Sequence, residues 1–145
     1  MCKLGIPMRL PPAHPFNPLS ALRLIIAAGS RRDAVETVFD AVFMHGRDVA
    51  DVGVMENLAR QLGVADAQAA LSDNQVKQKL RNNTEWAIAH GVFGVPTFVI
   101  RDEIFWGHDS FDMMLDYLHD PVLFQDLEMQ KIDRLPIGVT RPRKA

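Results

Sequence analysis

The sequence predicts an α/β protein in which a large helical subdomain precedes a β-hairpin and a further helix. Two observations lead to this prediction. Before residue 91, apolar residues recur at helical spacing in several segments, most of which end at a glycine. After it, two short apolar runs, Thr97–Ile100 and Glu103–Trp106, are separated only by Arg101 and Asp102. Two such runs with a two-residue connection are typical of a β-hairpin.

The first helices follow a proline-rich lead-in over residues 1–18, where prolines prevent a continuous helix. Three amphipathic patterns come next, and each is followed by a glycine that can end a helix in the left-handed conformation. Asp51 can cap the third of these helices. The three sets are Leu19, Leu22, Ile25 and Ile26 before Gly29; Val35, Val38, Phe39, Val42 and Phe43 before Gly46; and Met55, Leu58 and Leu62 before Gly63.

Two more helices precede the hairpin. A short one is predicted near residues 65–71, and a longer one begins near Asp73 and stops at Gly91. Beyond the hairpin, Asp109 is placed to cap the last strong helix with its carboxylate. The apolar side chains of that helix at helical spacing are Phe111, Met114, Leu115 and Leu118.

The hairpin is also the first candidate binding element. Pro96 stands at the first residue of a strand, where its missing N–H costs no ladder hydrogen bond. If the Val95–Pro96 bond is cis, the chain bends there and leaves the backbone N–H and C=O of Val95 free to pair with a peptide-like ligand. A lone two-stranded hairpin is marginal, so the unpaired edge of Thr97–Ile100 also favours dimerisation or aggregation.

Composition limits the classes of function. The chain has 145 residues, 48% hydrophobic content and a net charge of −2, which suit a globular protein without general affinity for nucleic acid. No apolar run approaches the roughly 18 residues of a membrane span, and no secretory signal is visible, so we expect a cytoplasmic protein. The basic tail at Arg141–Lys144 is interpreted as a solvated terminus.

Cysteine and histidine usage narrows the chemistry further. Cys2 is the single cysteine, which excludes an internal disulfide and a Cys-x-x-Cys site. The histidines show no metal-ligand spacing, so no metal site is expected. No phosphate-binding loop is present. Phe93 and Trp106 are interpreted as core residues, with a pocket wall as the alternative.

Four quoted segments carry a resemblance to a known family. They are "KLGIPMRLPPAHPFNPLSALRL" (3–24), "VFDAVFMHGRDVAD" (38–51), "GVFGVPTF" (91–98) and "IFWGHDSFDMMLDYL" (104–118). In this order they resemble 2-hydroxychromene-2-carboxylate isomerases, which are glutathione-dependent relatives of kappa-class glutathione transferases and DsbA-like oxidoreductases. The resemblance covers nearly the whole chain.

The resemblance refines the fold prediction. It implies a thioredoxin-like C-terminal half, made of the hairpin and the final helix, joined to a large helical subdomain. The family's first βαβ unit would lie upstream of Leu4 and is expected to be missing, so the chain is interpreted as N-terminally shortened. The expected divisions are 1–91 for the helical subdomain with its lead-in, 92–120 for the thioredoxin-like part and 121–145 for the tail.

The resemblance also implies a glutathione site. Val95 and Pro96 would hold the cysteinyl backbone of glutathione, while His108 and Asp109 would receive its γ-glutamyl group. For Asp109 the alternative is a helix cap alone. Ser110 stands where many relatives have arginine, and His108 is of the residue type that changes charge near neutral pH.

The substrate side is assigned to Asn17 and Arg23. Asn17 lies in "PFNP", which matches the family's substrate-side segment, although asparagine before proline is also a common turn former. Arg23, on an otherwise apolar helix, is a candidate for the substrate carboxylate. Its alternative is to extend its charged end into solvent.

The implied activity is a glutathione-dependent isomerisation in aromatic hydrocarbon catabolism. It interconverts the hemiketal 2-hydroxychromene-2-carboxylate and trans-o-hydroxybenzylidenepyruvate. The implied partners are glutathione, a small aromatic carboxylic acid and, for the free strand edge, a second copy of the chain. The family's catalytic serine has no counterpart here, so no catalytic residue is assigned. Two alternatives stay open: a non-enzymatic glutathione- or peptide-binding remnant, and a kappa-class glutathione transferase activity.

Overall fold

The computed structural model describes residues 5, 7–132, 134–136 and 138. Cys2, residues Leu4 and Ile6 of the upstream match, and the basic tail at Arg141–Lys144 lie outside the described residues. The chain divides into two compact units, Met1–Trp86 and Ala87–Ala145. The domain boundaries expected from sequence, 1–91, 92–120 and 121–145, stay a prediction.

Helix α1, Leu19–Ala27, follows the lead-in at the point the sequence predicts. The side-chain oxygen of Asn17 accepts a hydrogen bond from the backbone N–H of Leu19 at 3.0 Å, which satisfies a donor at the start of the helix. Gly29, with φ of 86°, takes the left-handed conformation just beyond its end. Leu24 is completely buried, and the core of the first unit forms around it.

Helix α2, Arg32–Phe39, continues into a π-helical turn at Asp40–Met44. The predicted apolar stripe is wrong in two of its members, because Val35 and Phe39 are exposed. The side that faces the core is the neighbouring helical stripe, at the spacing i, i+4, i+7 and i+8. The buried residues of this segment are Ala34, Val38, Ala41 and Val42.

The third and fourth helices complete the first unit. Helix α3, Val52–Gln61, is capped as predicted: the carboxylate of Asp51 accepts a hydrogen bond from the N–H of Val54 at 2.8 Å. Helix α4, Ala67–Ser72, packs against α1 and α3. The buried core of this unit consists of Ala21, Leu24, Ala28, Ala34, Val38, Ala41, Val42, Val49, Met55, Leu58, Ala59, Leu62 and Ala67.

Helix α5, Asn74–Ala89, ends two residues before Gly91, and the division between the two units falls within it. It buries no residue completely, which distinguishes it from α1 and α3. Trp86 and Ile88 are more than half exposed. No helix among the described residues is long and apolar enough to span a membrane.

The second unit contains the hairpin. Strands β1, Thr97–Ile100, and β2, Glu103–Trp106, pair antiparallel with Thr97 opposite Trp106 and Ile100 opposite Glu103. The strand limits and the two-residue turn agree with the sequence prediction. Arg101 in the turn has φ of 57°, so it occupies the left-handed region.

Helix α6, Phe111–His119, packs against β2. The small core of this unit joins Phe105, Met114 and Tyr117. Of the four residues predicted to form the apolar face of α6, Met114 is the one that is buried. The second buried residue of this helix is Tyr117, and both belong to the small core with Phe105 of β2. A short 3₁₀ turn at Leu123–Gln125 and helix α7, Leu127–Ile132, follow.

Candidate functional site

The open end of the hairpin forms the candidate site. There the N–H of Gly107 donates to the C=O of Pro96 at 2.9 Å. Hydrogen-bonded and non-bonded pairs alternate along an antiparallel ladder. With Pro96 and Gly107 as a bonded pair, the backbone groups of Thr97 and Val99 therefore point away from β2, toward the free edge of β1.

Val95 has the properties expected of a peptide-binding residue. The Val95–Pro96 bond is cis, which meets the condition for a free Val95 backbone. Val95 is 88% exposed, and neither its backbone N–H nor its C=O has a hydrogen-bond partner among the described residues. Both groups are therefore available to an extended ligand. On the strand side of the proline, the hydroxyl of Thr97 donates to the C=O of Gly94 at 2.6 Å and fixes the loop.

An aromatic pair stands beside this loop. The rings of Phe93 and Trp106 lie 5.1 Å apart between centroids at an interplanar angle of 53°. Phe93 is 73% exposed and Trp106 is 53% exposed, so their interpretation as core residues is wrong. A Cβ atom on Gly94 would come within 2.5 Å of Nε1 of Trp106, which shows how closely the indole covers the loop backbone.

We expect Gly94→Ala to destabilise the second unit through contact with Trp106. The added methyl overpacks the loop and should cost about 1–3 kcal/mol of unfolding free energy. In a Trp106→Ala background Gly94→Ala should no longer lower the unfolding free energy, because the indole that the added methyl contacts is absent. Denaturant unfolding of the four proteins, followed through the amide signals of residues 97–106, measures the coupling. An equal cost in both backgrounds would contradict the contact.

Gly107 carries the chain from β2 into the segment that holds His108 and Asp109. Its φ of 89° and ψ of 162° lie in a region that essentially only glycine occupies. His108, Asp109 and Ser110 form a 3₁₀ turn that continues into α6. The hydroxyl of Ser110 donates to the C=O of Gly107 at 2.9 Å, which closes the turn.

The prediction that Asp109 caps the last helix is wrong. The inserted 3₁₀ turn places Ser110 at the N-cap of α6, and no side chain caps that helix. The carboxylate of Asp109 is exposed, makes no hydrogen bond or ion pair to another described residue, and lies directly against Gly107. His108 is likewise exposed.

Four of the six residues predicted for binding therefore share one end of one hairpin. Val95 and His108 each lie one residue outside the bonded pair of Pro96 and Gly107, and Asp109 follows. This end combines an unpaired backbone segment, an unpaired carboxylate and an exposed aromatic pair. Such an arrangement can bind an extended peptide that carries an ammonium group.

The other two predicted residues, Asn17 and Arg23, lie in the first unit. Asn17 is exposed, and its side-chain oxygen serves the start of α1, as a turn former would. Arg23 is half-buried and lines a groove between α1 and α5. Its Nε atom is buried without a hydrogen-bond acceptor. Among the described residues, no three His, Cys, Asp or Glu side chains are grouped to hold a metal ion.

The sequence interpretation missed two features of the site, the exposed pairing of Phe93 with Trp106 and the role of Gly107. A signal for Gly107 was present, because a glycine between a strand and a helix start often marks a backbone conformation closed to other residues. Nothing in the sequence indicated that the two aromatic rings would meet outside the core.

Comparison with known proteins finds relatives of this chain. The chain is 26% identical over 121 residues to a 2-hydroxychromene-2-carboxylate isomerase of Sphingobium xenophagum, covering 81% of this chain and 62% of that protein. It is 28% identical over 136 residues to glutathione S-transferase kappa 2 of Caenorhabditis elegans, covering 81% and 60%. The chain thus spans less than two thirds of the length of these relatives.

A solved structure shows the same likeness. The selenomethionine form of a 2-hydroxychromene-2-carboxylate isomerase superposes with a TM-score of 0.63 at 26% identity, covering 91% of this chain and 64% of that one. A family model described as the DSBA-like thioredoxin domain matches residues 2–119. The chain has the fold of that family, and its relatives include isomerases and glutathione transferases. It belongs to the DsbA-like thioredoxin domain family.

Proposed function

We propose that this chain binds glutathione at the open end of the hairpin and serves a glutathione-dependent isomerisation like that of 2-hydroxychromene-2-carboxylate isomerases. The observation that carries the proposal is the exposed Val95 backbone, which lies at the same end of the hairpin as the exposed carboxylate of Asp109. Neither group has a hydrogen-bond partner among the described residues. Both relatives compared above support it, one through its name as an isomerase and one as a glutathione transferase.

The arrangement of groups suits a tripeptide. The N–H and C=O of Val95 can pair antiparallel with the cysteinyl residue of glutathione, and two backbone hydrogen bonds fix the register of the ligand without any side chain. The carboxylate of Asp109 can accept charge-assisted hydrogen bonds from the γ-glutamyl ammonium. His108, exposed beside Asp109, is positioned at the γ-glutamyl end of the same ligand.

The substrate in this proposal is a small aromatic carboxylic acid. When bound, glutathione supplies a thiolate that can add to the conjugated double bond of such a substrate and leave again after rotation about that bond. Phe93 and Trp106 offer an exposed apolar surface beside the loop that holds Val95. Arg23 is proposed for the substrate carboxylate and Asn17 for the substrate side, and no residue is assigned as the catalytic serine.

A kappa-type transferase activity is the second candidate, favoured by the similarity to glutathione S-transferase kappa 2. Such an enzyme would use the same glutathione site but form a stable conjugate with an electrophile. Assays with a halonitrobenzene beside the chromene carboxylate separate the two, since conjugation consumes glutathione and isomerisation returns it. A protein that binds glutathione and performs neither reaction would be the non-enzymatic binder.

A two-dimensional amide NMR titration with reduced glutathione tests the proposal. We expect saturable shifts at Val95, Thr97, His108 and Asp109. Asp109→Asn should weaken binding about tenfold or more, because it removes the charged partner of the ammonium. Asp102→Asn, which removes an exposed carboxylate at the opposite end of the same hairpin, should leave the affinity unchanged.

Two results would overturn the assignment. A dispersed spectrum that does not respond to millimolar glutathione would exclude binding at this site. Equal weakening by the substitutions at Asp109 and Asp102 would show that the site responds only to overall charge.

A further inference from the structure

A groove in the first unit, between α1 and α5, is the most distinctive surface outside the hairpin. It encloses about 620 Å³, within the range of small-molecule sites. Its lining residues all belong to the first unit, so its geometry is independent of the glutathione site. Three cationic side chains and one carboxylate line it, and the groove is therefore net positive: the four are Arg23, Lys77, Arg81 and Glu85.

The cations of the groove have no anionic partner among the residues that the structure describes. Among the described residues, neither Arg23 nor Lys77 nor Arg81 takes part in an ion pair. Lys77 and Arg81 stand four residues apart on one face of α5, where like charges destabilise a helix. An anion in the groove would relieve that repulsion and pair with both.

Arg23 gives the groove its specificity. Its Nε is buried without an acceptor, and Nε is the one such side-chain atom among the described residues. The Arg23 side chain makes no hydrogen bond to another described residue, and its two terminal nitrogens are not buried, so those nitrogens contact solvent. A half-buried guanidinium with an open end is suited to a carboxylate, which can accept two parallel hydrogen bonds.

The neutral groups of the groove favour an anion with an apolar body. The amide of Gln78 already donates to the side chain of Asn82 at 2.8 Å, and the hydroxyl of Thr84 donates to the C=O of Leu80 at 2.9 Å. These donors are therefore satisfied, whereas the cations are not. Leu19 and Leu80 supply apolar wall, and Leu19 is 44% exposed.

We propose that this groove binds an aryl carboxylate, with Arg23 holding the carboxylate and Lys77 and Arg81 adding positive potential. The anion site stands on the geometry of the first unit alone. The further assignment of this anion site to the substrate carboxylate rests on the proposed function. Lys77 and Arg81 are thereby assigned to binding, which the sequence interpretation did not do.

The test uses the full chain, labelled with ¹⁵N, and trans-cinnamate as the probe, without glutathione. We expect saturable amide shifts at Leu19, Leu80 and Thr84. Cinnamamide, which has the same shape but no charge, should not produce them. Arg23→Gln should weaken cinnamate binding about tenfold, and Lys79→Gln, which removes an exposed cation of α5 outside the groove, should not change it.

The double variant Lys77→Gln/Arg81→Gln changes only exposed side chains and keeps the test decisive if Arg23→Gln fails to fold. It should weaken cinnamate binding severalfold and reduce its dependence on salt. The proposal is overturned if cinnamamide binds as well as cinnamate or if no amide signal of the groove shifts. It is also overturned if the double variant binds cinnamate as tightly as the Lys79→Gln control does. If the chain bound cinnamate but not glutathione, the anion site in the groove would be supported and the proposed glutathione-dependent function would be contradicted.

Discussion

Replacing Leu24 by alanine is expected to lower the unfolding free energy of the first unit by about 3–4 kcal/mol. Leu24 is the largest completely buried side chain among the described residues, and it lies within the cluster to which α1, α2, α3 and α4 all contribute. Truncation removes apolar contacts and leaves a cavity that helices on several sides cannot readily fill. Both the lost contacts and the cavity lower the free energy of unfolding.

The matched control is Leu22→Ala on the same helix. Leu22 is 39% exposed, so its truncation removes less buried area and creates no enclosed cavity; the loss should stay below about 1 kcal/mol. Because the chain has two compact units, unfolding should be followed through amide exchange of residues in the first unit rather than through one global signal. Similar losses for the two variants would show that Leu24 is not the centre of this core.

Replacing Gly107 by alanine is expected to have the second-largest effect, and to act on both stability and glutathione binding. At φ of 89° and ψ of 162° an L-residue is strained by about 1–3 kcal/mol. The added Cβ would also collide with Oδ1 of Asp109. The carboxylate must turn away from its present position, so we expect glutathione binding to fall along with the stability of the hairpin end.

Gly63→Ala separates these two causes. Gly63 also has a positive φ, 75°, but a Cβ there would meet no atom within 4 Å. Gly63 belongs to the first unit, whereas the candidate glutathione site belongs to the second. We expect it to cost about 1 kcal/mol of stability from backbone strain and to leave the glutathione affinity unchanged. If Gly107→Ala bound glutathione as the unmodified chain does, the placement of Asp109 by Gly107 would not matter for the site.

Several elements could be predicted from sequence because their causes are local. The hairpin register follows from two four-residue runs joined by a two-residue turn, which admits one in-phase pairing. Asp51 caps α3 because a carboxylate at that position meets N–H groups that every helix start leaves unpaired. The left-handed conformations of Gly29 and Gly91 depend only on the missing side chain.

Other features depended on contacts between segments distant in sequence. Val35 and Phe39 fit an apolar stripe as well as Ala34 and Ala41 do, but packing against the core of the first unit decided which set is buried. Asp109 had the right residue type for a cap, yet the 3₁₀ turn moved the helix start and left its carboxylate exposed. For the candidate site, that displacement is what leaves the carboxylate unpaired.

The sequence by itself determined the order of the elements, the hairpin with its proline-marked edge and the resemblance that led to a DsbA-like fold. These follow from local periodicity, turn chemistry and motif order. Only the tertiary structure decided that Phe93 and Trp106 pair at the surface, that Asp109 has no partner among the described residues, and that Arg23, Lys77 and Arg81 share one groove. The physical reason is that exposure and charge pairing are set by which segments pack together, and residue spacing within one segment carries no information about its neighbours.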